Sequence, residues 1–189
     1  MSSAELSTEY EVRSNSCRSG RPAHRGALRG PVALVLTRQK LGFIDRTKYA
    51  PASGLARGAY VLAEAVGAPA RVVLLSSGSE VALILKAHEE LDRRGIPARV
   101  VSMPSHELFA RQSASYREEV LPPELPRVAI EAAHPMSWYR WVGTNGVVLG
   151  LERFGASSPY ERIYQELGLT VQKVVEAAEK LVIKRDRYS

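Results

Sequence analysis

The sequence predicts an α/β fold in which helices cover a largely parallel sheet, and three observations carry that expectation. The stretch RVVLLSSGSEVALILKAHEELDRRGIPARVVSMPS (71–105) reads in order as strand, turn, helix, turn and strand. Two strands of one sheet joined through a helix make a right-handed parallel crossover. Short apolar runs bounded by polar or turn residues recur on either side of this unit, at VALVLT (32–37) and RVAIE (127–131).

The elements follow in order. Residues 1–29 cluster Ser, Arg and Gly without apolar periodicity, and are expected to form a disordered or irregular tail. Val32–Thr37 reads as a strand ending in Thr37-Arg38-Gln39. Ligand groups collect at strand C-termini in α/β sheets, so Arg38 is the first residue with a functional reading; an arginine in a solvated turn is the plainer one. Lys40–Gly58 shows little hydrophobic pattern and reads as a linker. Ala59–Ala63 is a short strand, and the Gly67-Ala68-Pro69 turn suggests an antiparallel edge hairpin leading into Arg71–Ser76.

In the central unit, Val81, Leu83, Ile84, Leu85, Ala87 and Leu91 fall mostly on one helical face, with Lys86, Glu89, Glu90, Arg93 and Arg94 on the other. Ser79 is the expected N-cap, and Gly95 sits where a left-handed C-terminal cap belongs. Ile96–Ser102 is the second strand. Helices are expected around Glu107–Arg111 and at Ser113–Val120, the latter stopping at Leu121-Pro122-Pro123. Arg127–Glu131 is the next strand, followed by a helical turn carrying Trp138 and Trp141. Val147–Leu151 is the final strand, and helices at Pro159–Leu167 and Val171–Ile183, the second capped by Thr170, close the domain.

Composition narrows the functional classes. With 189 residues and 45% hydrophobic content the chain supports one core. The formal charge of +6 invites a nucleic-acid reading, but much of the surplus lies in the first fifty residues and the last six, with no basic cluster interleaved with aromatics, so nucleic acid is not expected as a partner. One cysteine, Cys17, rules out an internal disulfide and a multi-cysteine metal site, which suits a reducing cytoplasm. No apolar run is long enough to span a membrane.

Candidate chemistry is sparse. The turn Ser77-Gly78-Ser79 has the small residues of a helix-N-terminal anion-binding loop, though it lacks both the three glycines of a dinucleotide fingerprint and the lysine of a P-loop. Glu80 beside it would repel an anion, and a structural cap is the alternative. His24, His88, His106 and His134 stand at no metal-ligand spacing, so no metal site is expected. His88 reads as a surface residue; His106 or His134 is either a proton-transfer group or a packed or solvated histidine. Glu131 and Glu152 flank strand ends, as site residues or as rim carboxylates. From the residues alone this is a cytosolic α/β domain without visible catalytic machinery.

Three stretches read together carry a resemblance: GPVALVLTRQKL (30–41), VVLLSSGSEV through EEVLP (72–122), and VAIEAAHPMSWYRWVGTNG through VVEAA (128–178). In order and spacing they resemble the carboxy-terminal part of transketolases, with SGSEV, RVVSMPS, Phe109-Ala110-Arg111-Gln112 and Phe154-Gly155-Ala156-Ser157-Ser158-Pro159 as the specific elements. The resemblance implies a three-layer α/β/α domain with a mostly parallel mixed sheet. It divides the chain into a tail (1–29), a remnant strand of the pyrimidine-binding domain plus linker (30–58), a transketolase C-terminal domain (59–183) and a short tail (184–189).

Family activity is the thiamine-diphosphate-dependent transfer of a two-carbon ketol unit between sugar phosphates, with magnesium, in the pentose phosphate pathway. The resemblance implies a fragment, inactive alone, that binds no cofactor by itself and contributes structure or assembly as a homodimer or with a complementary transketolase polypeptide. Arg38 matches the family arginine that contacts the substrate phosphate, a role suited to a bidentate guanidinium. Arg38 is the one family site residue that the resemblance places in this chain. Before residue 30 the sequence departs from the family, as if a reading frame were lost or a gene truncated. A stand-alone small-anion-binding or dimer-stabilising module is the alternative expectation.

Overall fold

Residues 40–188 are described by a computed structural model. The tail 1–29, the strand Val32–Thr37 and Arg38 lie outside the described residues. Five strands, β1 (Tyr60–Ala63), β2 (Val72–Ser76), β3 (Ala98–Ser102), β4 (Arg127–Ile130) and β5 (Val147–Leu149), form one sheet in the order β1-β3-β2-β4-β5. The helices are α1 (Val81–Arg93), α2 (His106–Ala110), α3 (Ala114–Val120), α4 (Met136–Val142), α5 (Tyr160–Glu166) and α6 (Val171–Tyr188). β2, β3, β4 and β5 run parallel, and β1 is antiparallel to β3.

Every residue of β2 is buried, as expected of a central strand covered on both faces. Its side chains alternate between two cores. Val72 and Leu74 join Val100, Val128 and Ile130 under α1 and α6, through residues such as Ile84, Leu91, Val174 and Ala178. Val73 and Leu75 join Val101 and Ala129 under α2, α3 and α4, where Phe109, Val120, Trp138 and Trp141 pack. The result is the three-layer α/β/α arrangement with a mixed sheet.

Several local expectations are corrected. β1 is an antiparallel edge strand, but it pairs with β3, Tyr60 opposite Ser102, and forms no hairpin with β2. Both sides of β2 are taken by parallel neighbours, which leaves the outer side of β3 for β1. The segment expected as a linker lies against the body. Ile44, Tyr49 and Ala50 pack on the core, the Lys48 ammonium meets Glu89 at 2.8 Å, and the Ala50 amide donates to Leu62 O at 3.0 Å along the outer side of β1. His88 is 7% exposed, with Nε2 3.1 Å from Glu64 O. It is buried because the chain leaving β1 passes over α1.

Among the described residues, side-chain caps start three of the six helices. Ser105, Ser113 and Thr170 side chains accept from Leu108, Tyr116 and Lys173 amides at 3.3, 3.2 and 3.2 Å. Gly95, at φ +70°, closes α1 with its amide on Asp92 O. Ser79 does not cap α1: a 3₁₀ turn over Gly78–Glu80 precedes the helix and no side chain caps it. β5 stops at Leu149, because the Leu151 amide leaves the ladder for Ala133 O at 2.8 Å. α6 runs past its expected end, held by buried Val182 and by Arg71, which pairs with Asp186 and whose carbonyl accepts from Arg185.

Candidate functional site

From β2 the chain crosses through α1 to β3 on one side; from β4 it continues through α4 to β5 on the other. The carboxyl ends of β2 and β4 therefore border the topological switch point, where open α/β sheets place ligands. Ser76 Oγ closes the base of this crevice by donating to Ile130 O at 2.9 Å.

Above it sit two glutamates. Ser77 Oγ donates to Glu131 Oε2 at 2.9 Å. Glu80, 2% exposed, receives Ser79 Oγ at 2.7 Å and Tyr164 Oη from α5 at 2.5 Å on one carboxylate oxygen, and the Ala132 amide at 3.4 Å on the other. Burial pushes the Glu131 carboxyl up to about 7; the Ser77 hydroxyl works against the rise, and the negative charge of Glu80 adds to it. Among the described residues neither glutamate has an ion-pair partner.

The structure thus brings Ser77 and Ser79 of the expected anion turn together with Glu131, and directs both hydroxyls to carboxylates. Gly78 supplies the turn with φ +55°, and a side chain there would meet nothing within 4 Å. What this arrangement does chemically is hold protons and accept hydrogen bonds from hydroxyl or cationic groups. Two carboxylates facing the turn set a negative potential that opposes an anion.

The other candidates lie apart. His106 stacks edge-on against Trp138 and Trp141, with centroids 4.7 and 6.0 Å away, and burial holds its imidazole below the usual range. His134 is exposed and accepts from the Met136 amide at 3.3 Å. Glu152 is exposed. Sequence reasoning missed Tyr164, a residue on a helix with no buried side chain, whose spacing from Glu80 carries no local signal. It also missed Arg127, at the opposite end of β4. The Arg127 guanidinium donates to Trp141 O, Leu121 O and Pro122 O at 2.6, 2.9 and 3.1 Å while its Nε is buried without a partner. Burial lowers its pKa.

Thiamine diphosphate with a divalent metal has no evident seat in this arrangement. Among the described residues no group of three or more His, Cys, Asp or Glu side chains is placed to hold a metal ion. A diphosphate at the carboxyl end of the sheet would meet Glu80 and Glu131. The residues present therefore do not fit the group.

A mixed parallel sheet covered on both faces, with its polar groups gathered at one switch point, places the chain in the doubly wound α/β class. Comparison with known proteins then narrows the class. The transketolase-like TK C-terminal domain family matches residues 58–170. The transketolase of Aquifex aeolicus is 46% identical over 156 residues, covering 82% of this chain and 22% of that protein. Transketolase 1 of Escherichia coli is 46% identical over 154 residues, covering 81% and 23%. The structure of transketolase from Leishmania mexicana superimposes with TM-score 0.65 at 34% identity, covering 71% of this chain and 19% of that one. A split-gene transketolase, described as an inactive beta4 tetramer, shares the fold with TM-score 0.53 at 23% identity, covering 68% of this chain and 43% of that one.

The chain belongs to the transketolase family and corresponds to its C-terminal domain. It spans about a fifth of the length of the curated relatives it matches.

Proposed function

We propose that this chain supplies the C-terminal portion of a transketolase and performs no ketol transfer by itself. The observation that carries the reading is the coverage: four-fifths of this chain aligns with less than a quarter of each full-length relative. In this reading a complementary transketolase polypeptide, or a second copy together with one, supplies the thiamine diphosphate and magnesium sites and the surface that binds sugar phosphates. Thiamine diphosphate, when held there, stabilises the carbanion of the two-carbon unit. A transketolase encoded by a split gene among the fold neighbours is a precedent for such a division.

Arg38 is proposed as the one substrate-phosphate contact contributed by this chain. Reactions of this family run on phosphorylated sugars of central metabolism, and a cytoplasmic setting follows from that reading. Titration calorimetry of the purified chain with thiamine diphosphate and magnesium is the test. No heat of tight binding and no turnover of a ketose phosphate are expected; micromolar binding or turnover by the chain alone would overturn the proposal. The anion-binding reading of Ser77-Gly78-Ser79 is tested in the same instrument with inorganic phosphate, where saturable heat lost in Ser77→Ala would favour it.

A further inference from the structure

The crevice at the β2–β4 switch point holds two carboxyl groups that the transketolase reading leaves without a role. Their closeness is geometric. Glu80 Oε2 accepts from the amide of Ala132, the residue peptide-bonded to Glu131, while Ser77, three residues before Glu80, bonds the Glu131 carboxyl. Donors are divided unequally between them. Ser79, Tyr164 and the Ala132 amide converge on Glu80, and the Ser77 hydroxyl is the side-chain donor to Glu131.

We propose that the Glu131 carboxyl, set across the crevice from Glu80, carries a proton whose loss loosens the grip of α5 on the body. This makes the carboxyl end of the sheet a pH-responsive face.

The mechanical route starts from how α5 is attached. No side chain of α5 is fully buried, and Tyr164 is its inward anchor: it packs against the core and donates to Glu80. Glu131 follows directly on β4, with its amide bonded to Leu149 O at 3.1 Å, so it is fixed to the sheet. Glu80 lies at the end of the 3₁₀ turn Gly78–Glu80 that leads into α1, off the sheet. With the proton on Glu131, one negative charge sits among the donors around Glu80. Without it, two negative charges share a crevice in which, among the described residues, neither has an ion-pair partner. Separating them moves Glu80, the acceptor to which Tyr164 is tied.

The groups facing Glu131 can be named element by element. The turn after β2 contributes Ser77 and Glu80, and α5 contributes Tyr164 behind Glu80. Beyond β4, His134 is exposed and turned to the Met136 amide, and beyond β5 the first charged residue, Glu152, is exposed. The direction of the pH effect follows from burial. Folded Glu131 keeps its proton up to about pH 7, whereas the unfolded chain releases it near the ordinary value of 4.5. Between these limits the folded state binds more protons, so stability is highest at the acid end and falls as pH rises towards 7.

The experiment is urea unfolding of the full chain at intervals from pH 5 to 8, beside Glu131→Gln. The expected contribution is a fall of roughly a hundredfold in the folding constant, absent from Glu131→Gln. His106, held low by burial, acts in the opposite sense below its ordinary value, so the difference between the two proteins isolates Glu131. Equal pH slopes in both proteins would overturn the proposal. Should Glu131→Gln not fold, carboxyl resonances of the wild-type chain decide: a glutamate titrating near 7 supports the retained proton on Glu131, and all glutamates titrating below 5.5 refute it. Amide exchange corrected for its intrinsic pH dependence tests the mechanical part. Protection at 160–166 is expected to drop between pH 6 and 8 while α1 stays protected; unchanged protection there refutes the coupling to α5.

Discussion

At Gly58 the backbone turns through φ +86°, and a β-carbon there would lie 2.3 Å from the Phe109 amide nitrogen and 2.5 Å from Ser105 O. Both obstacles are backbone, so neither yields cheaply. Gly58→Ala is expected to cost about 2–4 kcal/mol in urea unfolding, from the left-handed conformation and the clash together. The glycine lies at the end of a segment that reads as featureless linker, because its constraint comes from α2, fifty residues on. The candidate site was legible in the same partial way. Ser77 and Glu131 stand out as polar residues at strand ends, where the α/β pattern itself points. Tyr164 does not, since nothing in its own helix marks which tyrosine reaches a carboxylate 84 residues away in sequence.

Among the elements, the helices that begin with a serine or threonine beside a periodic run were readable, and their caps are where stability should respond. Ser113→Ala removes the acceptor of the Tyr116 amide at the start of α3 and is expected to cost about 1 kcal/mol, with Ser113→Thr restoring most of it, as read from thermal or urea midpoints. Ser79 has the same local signature and a different role, because its hydroxyl is drawn to the buried carboxylate of Glu80. A cap is specified within one turn; burial of Glu80 is specified by α5. Strand pairing divides likewise. The parallel relation of β2 and β3 follows from the crossover that the strand-helix-strand pattern contains. The partner of β1 depends on which strand side is left free once the crossovers are placed, and no local pattern records that.

For the molecule as a whole, β2 belongs to both cores, so the two faces should unfold together. Trp138 and Trp141, the two tryptophans of the chain, lie under the α4 face, while the long helices α1 and α6 lie on the other. Tryptophan fluorescence and far-ultraviolet circular dichroism therefore report opposite layers, and their urea transitions are expected to superimpose; an earlier fluorescence transition would mean the layers separate. The sheet also has unlike margins. The amide of Ala50 already serves the outside of β1, whereas among the described residues the outside of β5, around Val148, meets no backbone partner. Among the described residues the open margin of the sheet is β5, so a polypeptide that lengthens the ladder, foreign or identical, is expected to arrive beside Val148.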